Sequence, residues 1–599
     1  MPAHVLRATA CALFLRAAVG NVDAIFPTPG RASPPSVCAH GCALWSNLSA
    51  DGNTRDQGDV NAKFRFGVAP SVRDCASPAY DPGESGPGWC YCRDVGASDW
   101  GYCGDASGSV PTQINLQFVN DAGATTISFV TIDGHAQGGV PVAQVSTAPD
   151  GSSAVNVTGV TNFWTQTGSA RQYSFHFVPL QGLQPATTYY YRVSSGVAGA
   201  AWSAWFSYRT RDPSAPLRFA FAGDVGPYPV NHFDLIANAS IATDETRIDF
   251  LVHGGDHAYQ MSSDDGERGD LYLLDFEAAL TRLPWLTVMG VRVRLRCCTR
   301  GMPPARAHPN LHTPIRHPHA QNHEEYNGAF FMRYLNQTAG VATASPRRDS
   351  SGAGGRYYSV DVGLLHLIVL DFNVYYGTEP DAIRAAQLSW LDADLTAVDR
   401  AVTPWVVVTA HMPIFCSSIT LDGVFADADA RYRVDVAGER GDAVAARAPY
   451  KGCTGTGVDN VEATRKDVEP LFIKHGVDLF LCGHEHNYES IWPTRNSVPT
   501  ATNFDSPAAT VYVVEGAGGA PALDLFGGPA PFTRKQDSSW GFGRVTIVNA
   551  STLVYERVQN DHCRDQCQQS TCPDCGVPAG TVLDTWTITQ PQHGGWPPL

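Results

Sequence analysis

A chain of 599 residues, 43% hydrophobic and only 17% charged, is long enough for several domains that each bury a core. Its 57 glycines and 41 prolines point to short strands and many loops, which excludes a coiled coil or a disordered acidic chain. With 58 acidic against 42 basic side chains the net charge is −16, which argues against nucleic acid held on a basic face.

The N-terminus carries Arg7 and then a short apolar run over 9–15, too short to span a membrane, and no other stretch is long enough. Residues 1–24 are read as a signal peptide, with Ala18-Val19-Gly20 or Val22-Asp23-Ala24 as the cleavage site. A frayed cytosolic N-terminus is the alternative. Sixteen clustered cysteines and the sequons at Asn47, Asn156, Asn238, Asn336 and Asn549 favour an oxidising compartment, so a secreted, extracellular or vacuolar glycoprotein is expected.

Cys38, Cys42, Cys75, Cys90, Cys92 and Cys103 fall in a stretch rich in Gly, Pro, Asp and Ser, predicting a small disulfide-stapled module over 34–107. Its Trp89-Cys90-Tyr91-Cys92 and Trp100-Gly101-Tyr102-Cys103 resemble segments of fibronectin type II or kringle modules, although a spacer without a ligand is the favoured reading. Over 111–211 short alternating runs such as 126–130 and 189–193 predict an all-β sandwich. Residues 183–193 resemble the E–F corner of a fibronectin type III fold, and 202–210 its last strand.

From 214 to 590 the pattern becomes apolar runs of strand length alternating with helical stretches, the signature of an α/β domain whose sheets are covered on both faces. The runs are 219–222, 250–252, 286–289, 364–370, 406–408, 479–481 and 511–514. Ligands in such folds sit at the C-terminal strand ends. Four of those ends carry Asp224, Asp256 followed by Tyr259, His411, and the pair His484 and His486. Taken singly, a strand-end Asp is commonly a helix cap and a His a satisfied core residue. Taken together, two carboxylates, three imidazoles and a phenol at buried strand ends point to metal, because a lone buried charge costs several kcal/mol.

Gly223-Asp224-Val225-Gly226, Gly255-Asp256-His257-Ala258-Tyr259, Val408-Thr409-Ala410-His411 and Gly483-His484-Glu485-His486-Asn487-Tyr488-Glu489 resemble the motifs of dinuclear metallophosphoesterases, and among them of purple acid phosphatases. Tyr259 discriminates, since a phenolate suits iron(III) and other branches generally lack it. The resemblance implies two facing sheets with helices on both outer faces, preceded by the fibronectin-like domain. It also implies that Asp224, Tyr259 and His486 hold iron(III), Asp256 bridges, and His411, His484 and an Asn hold a divalent iron, zinc or manganese ion. The substrates implied are small phosphate esters, with oligomeric state open.

The remaining family motif, Gly-Asn-His-Glu, is interrupted. Pro284-Trp285-Leu286-Thr287-Val288-Met289-Gly290 is followed by Val291, and Asn322-His323-Glu324 comes only after the segment 291–321. That segment holds six Arg, four His, five Pro, the pair Cys297-Cys298 and no acidic residue. Val codons begin with GT and Gln can be encoded CAG, so the segment has the ends of an intron retained in frame. Its removal joins Gly290 to Asn322 and restores the motif, with Asn322 as the metal ligand and His323 as the residue that contacts phosphate and protonates the leaving group. A basic loop over the active site is the alternative.

Cys482 is expected to be an unpaired core thiol, and Cys416 to pair with Cys453. Cys563, Cys567, Cys572 and Cys575, near zinc-ligand spacing, are better read as two disulfides in an exported chain. The favoured activity is hydrolysis of phosphate monoesters at acid pH. Two alternatives stand beside it: a phosphodiesterase or diphosphatase on the same centre, and a catalytically silent binding protein if 291–321 is translated.

Overall fold

The computed structural model describes residues 89–91, 100–102 and most of 110–596; within 110–596 the longest stretches outside the described residues are 227–234, 291–355, 420–457 and 561–576. Most of the 34–107 module, the segment 291–321, Asn322, His323, Cys453 and the cysteines after 560 therefore lie outside them. Of the module, Trp89–Tyr91 and Trp100–Tyr102 form an antiparallel hairpin.

Residues 214–590 build two facing sheets. One contains the parallel strands Leu217–Ala222, Phe250–His253 and Trp285–Thr287, extended by the antiparallel strands Gly541–Asn549, Thr552–Gln559 and Val582–Thr589. The other centres on parallel strands Leu365–Val369, Trp405–Thr409, Leu479–Cys482 and Val511–Glu515, with Tyr358–Val362 and Tyr488–Ile491 antiparallel beside them. Every residue of these four parallel strands is buried, as expected of strands covered on both faces. Phe219, Phe221 and Val252 of the first sheet interdigitate with Leu367, Val407, Leu481 and Val513 of the second in one core between the sheets. Helices cover the outside: Asp381–Ala397 and Val458–His475 pack on the second sheet, Glu267–Asp275 and Glu277–Leu280 on the first.

The apolar runs named from sequence coincide with these strands, with shifts of a residue or two; the run 286–289 becomes a strand at Trp285–Thr287. Cys482 is buried and free, its thiol donating to the Val513 carbonyl at 3.4 Å, whereas Cys416 is disulfide-bonded.

The preceding residues form the expected sandwich, its core supplied by Leu116, Ile127, Phe129, Val145, Val178 and Val193. Its corner is fixed by Tyr189, whose hydroxyl accepts the Gln184 N–H at 2.8 Å. The last strand is shorter than the sequence suggests, Phe206–Arg209 rather than 202–210. Trp202 and Trp205 are irregular instead and flank the Arg192 guanidinium at 4.8 and 4.9 Å. The two units share a sheet: strand Thr112–Asn120 of the sandwich pairs with Trp285–Thr287, making ten continuous strands. Buried carboxylates bind the junction: Asp270 accepts from Gln113 at 2.7 Å and Tyr173 at 3.1 Å, and Glu277 accepts the Ile114 N–H.

Candidate metal centre

The parallel strands of both sheets end side by side, and the chain turns sharply there. Asp224, Asp256, Ala258, Tyr259 and His484 all adopt positive φ, between 47° and 73°, a conformation that non-glycine residues hold only when their surroundings enforce it. Glycine is required beside them. Gly255 has φ +97°, and a Cβ on it would lie 2.6 Å from Nδ1 of His411; a Cβ on Gly483 would lie 2.2 Å from the Asp224 carboxylate.

The side chains brought together fall into two groups. In the first, the Tyr259 hydroxyl is 2.8 Å from Nε2 of His486 and 3.4 Å from Oδ1 of Asp224, and His486 is 3.5 Å from the same oxygen. In the second, ligand atoms of Asp256, His411 and His484 all lie within 4.8 Å of one another. The groups meet at Nε2 of His411, 3.3 Å from Asp256 and 3.9 Å from Asp224, and at Asp224, which also accepts the His484 N–H at 2.6 Å. Nδ1 of His411 donates to the Gly254 carbonyl at 2.8 Å, a bond that fixes the tautomer and turns the Nε2 lone pair towards the carboxylates.

This concentration of charge is buried. Asp224 is 0% exposed, and burial raises its pKa against the opposing pull of His411 and His486. Burial alone would lower the His486 pKa, but Asp524, Asp224 and Asp256 push it up to about 9. Glu485, between the two histidines, is pushed up to about 8 by burial and Asp524 while the Ser418 hydroxyl donates to it at 2.5 Å. A cation at the centre of such a site offsets the desolvation of its carboxylates. The donor set of carboxylate, phenol and imidazole, with the nearby thiol of Cys482 turned to a carbonyl, fits iron, zinc or manganese.

Several supporting residues carried no assignment from sequence. Asp524 clamps His486 in both directions, accepting its N–H at 2.8 Å and donating its own N–H to the His486 carbonyl at 3.0 Å. Glu489 accepts from the backbone and hydroxyl of Ser417 and from Thr533, tying the 411–419 loop to the histidine loop. Glu485 and Glu489 stand inside a motif already marked, so their position was visible; Asp524, in a Gly-Ala-Pro stretch, gave no signal.

Two facing mixed sheets, with carboxylates and imidazoles converging on their strand ends, define a metallophosphoesterase. Models of three domain families match in order: the purple acid phosphatase N-terminal domain over 111–210, calcineurin-like phosphoesterase over 217–488, and the iron/zinc purple acid phosphatase-like protein C domain over 509–566. Among curated proteins, human (Homo sapiens) acid phosphatase type 7 is 25% identical over 476 residues, 76% of this chain and 89% of that protein. Purple acid phosphatase 22 of Arabidopsis thaliana is 24% identical over 461 residues, 76% and 84% of the two chains. The solved structure of purple acid phosphatase PPD1 from yellow lupin (Lupinus luteus) seeds shares the fold, with TM-score 0.54 and 18% identity over 80% of this chain and 75% of that one. The chain belongs to the purple acid phosphatase family.

Proposed function

We propose that the chain is an exported acid phosphatase that hydrolyses phosphate monoesters with a dinuclear centre of iron(III) and a divalent iron, zinc or manganese ion. Asp224, Tyr259 and His486 are assigned to iron, Asp256 to the bridge, and His411, His484 and Asn322 to the divalent ion. The observation that carries this reading is the division of the side chains into two groups that meet at Asp224 and His411.

Bound there, a metal pair would supply a water of strongly lowered pKa and a clamp on the oxygens of an in-line displacement. The chain's residues do the rest. A phosphate ester approaches a protein of net charge −16, so its attraction has to be local. His411 is held in a single tautomer by Gly254, and the positive-φ turns keep Asp224, Asp256 and His484 aimed inward without reorganisation during turnover. His323 is assigned the contact with phosphate and the proton needed by the leaving alkoxide. The family's plant-type members carry further histidines about ten positions beyond the His411 match, where this chain has Leu421-Asp422-Gly423, so that assistance differs here.

Residues 291–321 are proposed to be a retained intron. In support, the chain reaches Gly290 inside the site, its Cα only 3.0 Å from the place a Gly255 Cβ would take. A ligand directly after Gly290 is therefore well placed, and Asn322 becomes that residue when 291–321 is removed. The test is a comparison of aryl and alkyl phosphate monoesters with diesters and diphosphates across pH 4–8, together with metal analysis of the purified protein. Faster diester turnover would favour the phosphodiesterase reading.

No helix among the described residues is long and apolar enough to cross a membrane.

A further inference from the structure

His253 closes the strand Phe250–His253 directly beneath the 254–256 loop and is 1% exposed. Its ring makes two directed bonds. Nδ1 accepts the Gly255 N–H at 3.3 Å, which leaves Nε2 to carry the proton towards the Tyr272 hydroxyl at 2.7 Å. Burial, with His411 adding to it, lowers its pKa to about 3, so the ring is neutral and has one donor and one acceptor to offer. The His257 ring stacks on it at 3.6 Å, and the indole of Trp285 meets both rings edge-on at 6.2 and 6.0 Å. The ring is thereby fixed in plane as well as in tautomer.

The loop above it serves three ligand side chains. The Gly254 carbonyl orients His411, the Gly255 carbonyl accepts the Asp224 N–H at 2.9 Å, and Asp256 belongs to the loop itself. Gly255 and Asp256 hold φ of +97° and +55°, and backbone in such regions persists only where its surroundings over-determine it. Helix Glu267–Asp275, through Tyr272, is thus connected by one imidazole to the backbone that aims Asp224, Asp256 and His411.

We propose that His253, backed by Tyr272, is a positioning residue for the metal centre: it pins the 254–256 loop so that His411 and Asp256 converge on one ion. The proposal rests on the metal reading above. It is tested by zinc affinity, measured on the full-length metal-free chain by competition with a chromophoric chelator, which reads binding rather than turnover.

His253→Leu removes both bonds and is expected to weaken zinc binding 10- to 100-fold, the usual effect of losing a residue that orients metal ligands. His253→Asn places an amide oxygen where Nδ1 stood and should recover most of that affinity. His253→Gln, whose amide reaches towards Tyr272 instead, should bind about 10-fold more weakly than His253→Asn. If His253→Leu does not fold, the Asn and Gln pair carries the test. Zinc affinity in His253→Leu within twofold of the unsubstituted chain, or equal affinities in Asn and Gln, would overturn the clamp. If neither the unsubstituted full-length chain nor the same chain lacking 291–321 binds zinc, the metal reading is overturned, and the clamp with it.

Discussion

The phenol of Tyr259 and the imidazole of His486 lie 2.8 Å apart although 227 residues separate them in the chain. Their rings meet edge-on at 84°, which points the hydroxyl at Nε2 instead of stacking the rings. With Asp224 they form a three-donor face of two oxygens that can carry negative charge and one nitrogen, suited to a hard trivalent ion. A tyrosinate on iron(III) absorbs visible light, so the metal-loaded protein is expected to be pink to violet. Tyr259→Phe should bleach the band while leaving the far-ultraviolet circular dichroism unchanged. Colourless protein with full metal occupancy and activity would remove iron(III) from this face.

His366, well away from the centre, ties stability to pH. It is fully buried between two carboxylates, Nδ1 at 2.6 Å from Asp361 and Nε2 at 2.8 Å from Asp394, and the Ser359 hydroxyl donates to Asp394. Burial alone would lower its pKa, but the bonds to Asp361 and Asp394 outweigh this and raise it. A raised folded-state pKa contributes stability that is complete below the unfolded value of about 6.5 and fades as pH rises through the folded value. Asp361 is 44% exposed and screened, so most of the effect comes from Asp394. His366→Gln should cost about 1–2 kcal/mol at pH 5, with a deficit that narrows towards alkaline pH in urea unfolding. A deficit independent of pH would mean the ring is neutral.

Much of this architecture can be read along the chain, because a strand buried on both faces needs an unbroken apolar run and runs such as 406–408 and 479–481 have no other use. The candidate ligands were legible for a related reason: Asp224, Asp256, His411 and His484 closely follow those runs, where an ionisable group is costly without a partner. What could not be read is pairing at a distance. The continuous sheet depends on Trp285 lying beside Gln117, and on Asp270 reaching Gln113 and Tyr173, contacts that leave no local pattern. The same holds for Asp524 on His486 and for the tautomer that Gly254 imposes on His411. The position of Tyr189 in its corner was visible because that contact spans only five residues.

Arg557 and Glu515 form an ion pair at 2.9 Å with both side chains 0% exposed. Glu515 also accepts from the Tyr555 hydroxyl at 2.9 Å, Arg557 donates to the Ser539 carbonyl at 2.8 Å, and the Glu515 carbonyl receives the Gly223 N–H at 3.3 Å. The pair therefore joins the outer strands of the first sheet to the backbone that leads into Asp224. Arg557→Met strands the carboxylate in the core and should cost about 3–5 kcal/mol in denaturant unfolding. Adding Glu515→Gln should recover more than half of that loss, since the group left unpaired is then neutral. A single substitution costing under about 1 kcal/mol would show that water reaches Glu515.

The interrupted motif can be tested on the natural protein and on a shortened chain. If 291–321 is intronic, peptide mapping of the natural protein should give a peptide in which Met289-Gly290 runs into Asn322-His323, and a peptide containing Cys297-Cys298 would refute it. Recombinant chain lacking 291–321 should then bind metal more tightly and hydrolyse aryl phosphates faster than the full sequence, because Asn322 follows Gly290 directly. Within that shortened chain metal binding and proton donation separate. Asp256→Asn removes the carboxylate that faces His411 at 3.3 Å, and both metal content and turnover should be lost. His323→Ala should leave metal content unchanged and slow hydrolysis by roughly 10²-fold, most for alkyl phosphates, whose leaving alkoxides need the proton. Wild-type rates on alkyl phosphates in His323→Ala would exclude it as the acid, and loss of metal in the same variant would make it a ligand instead.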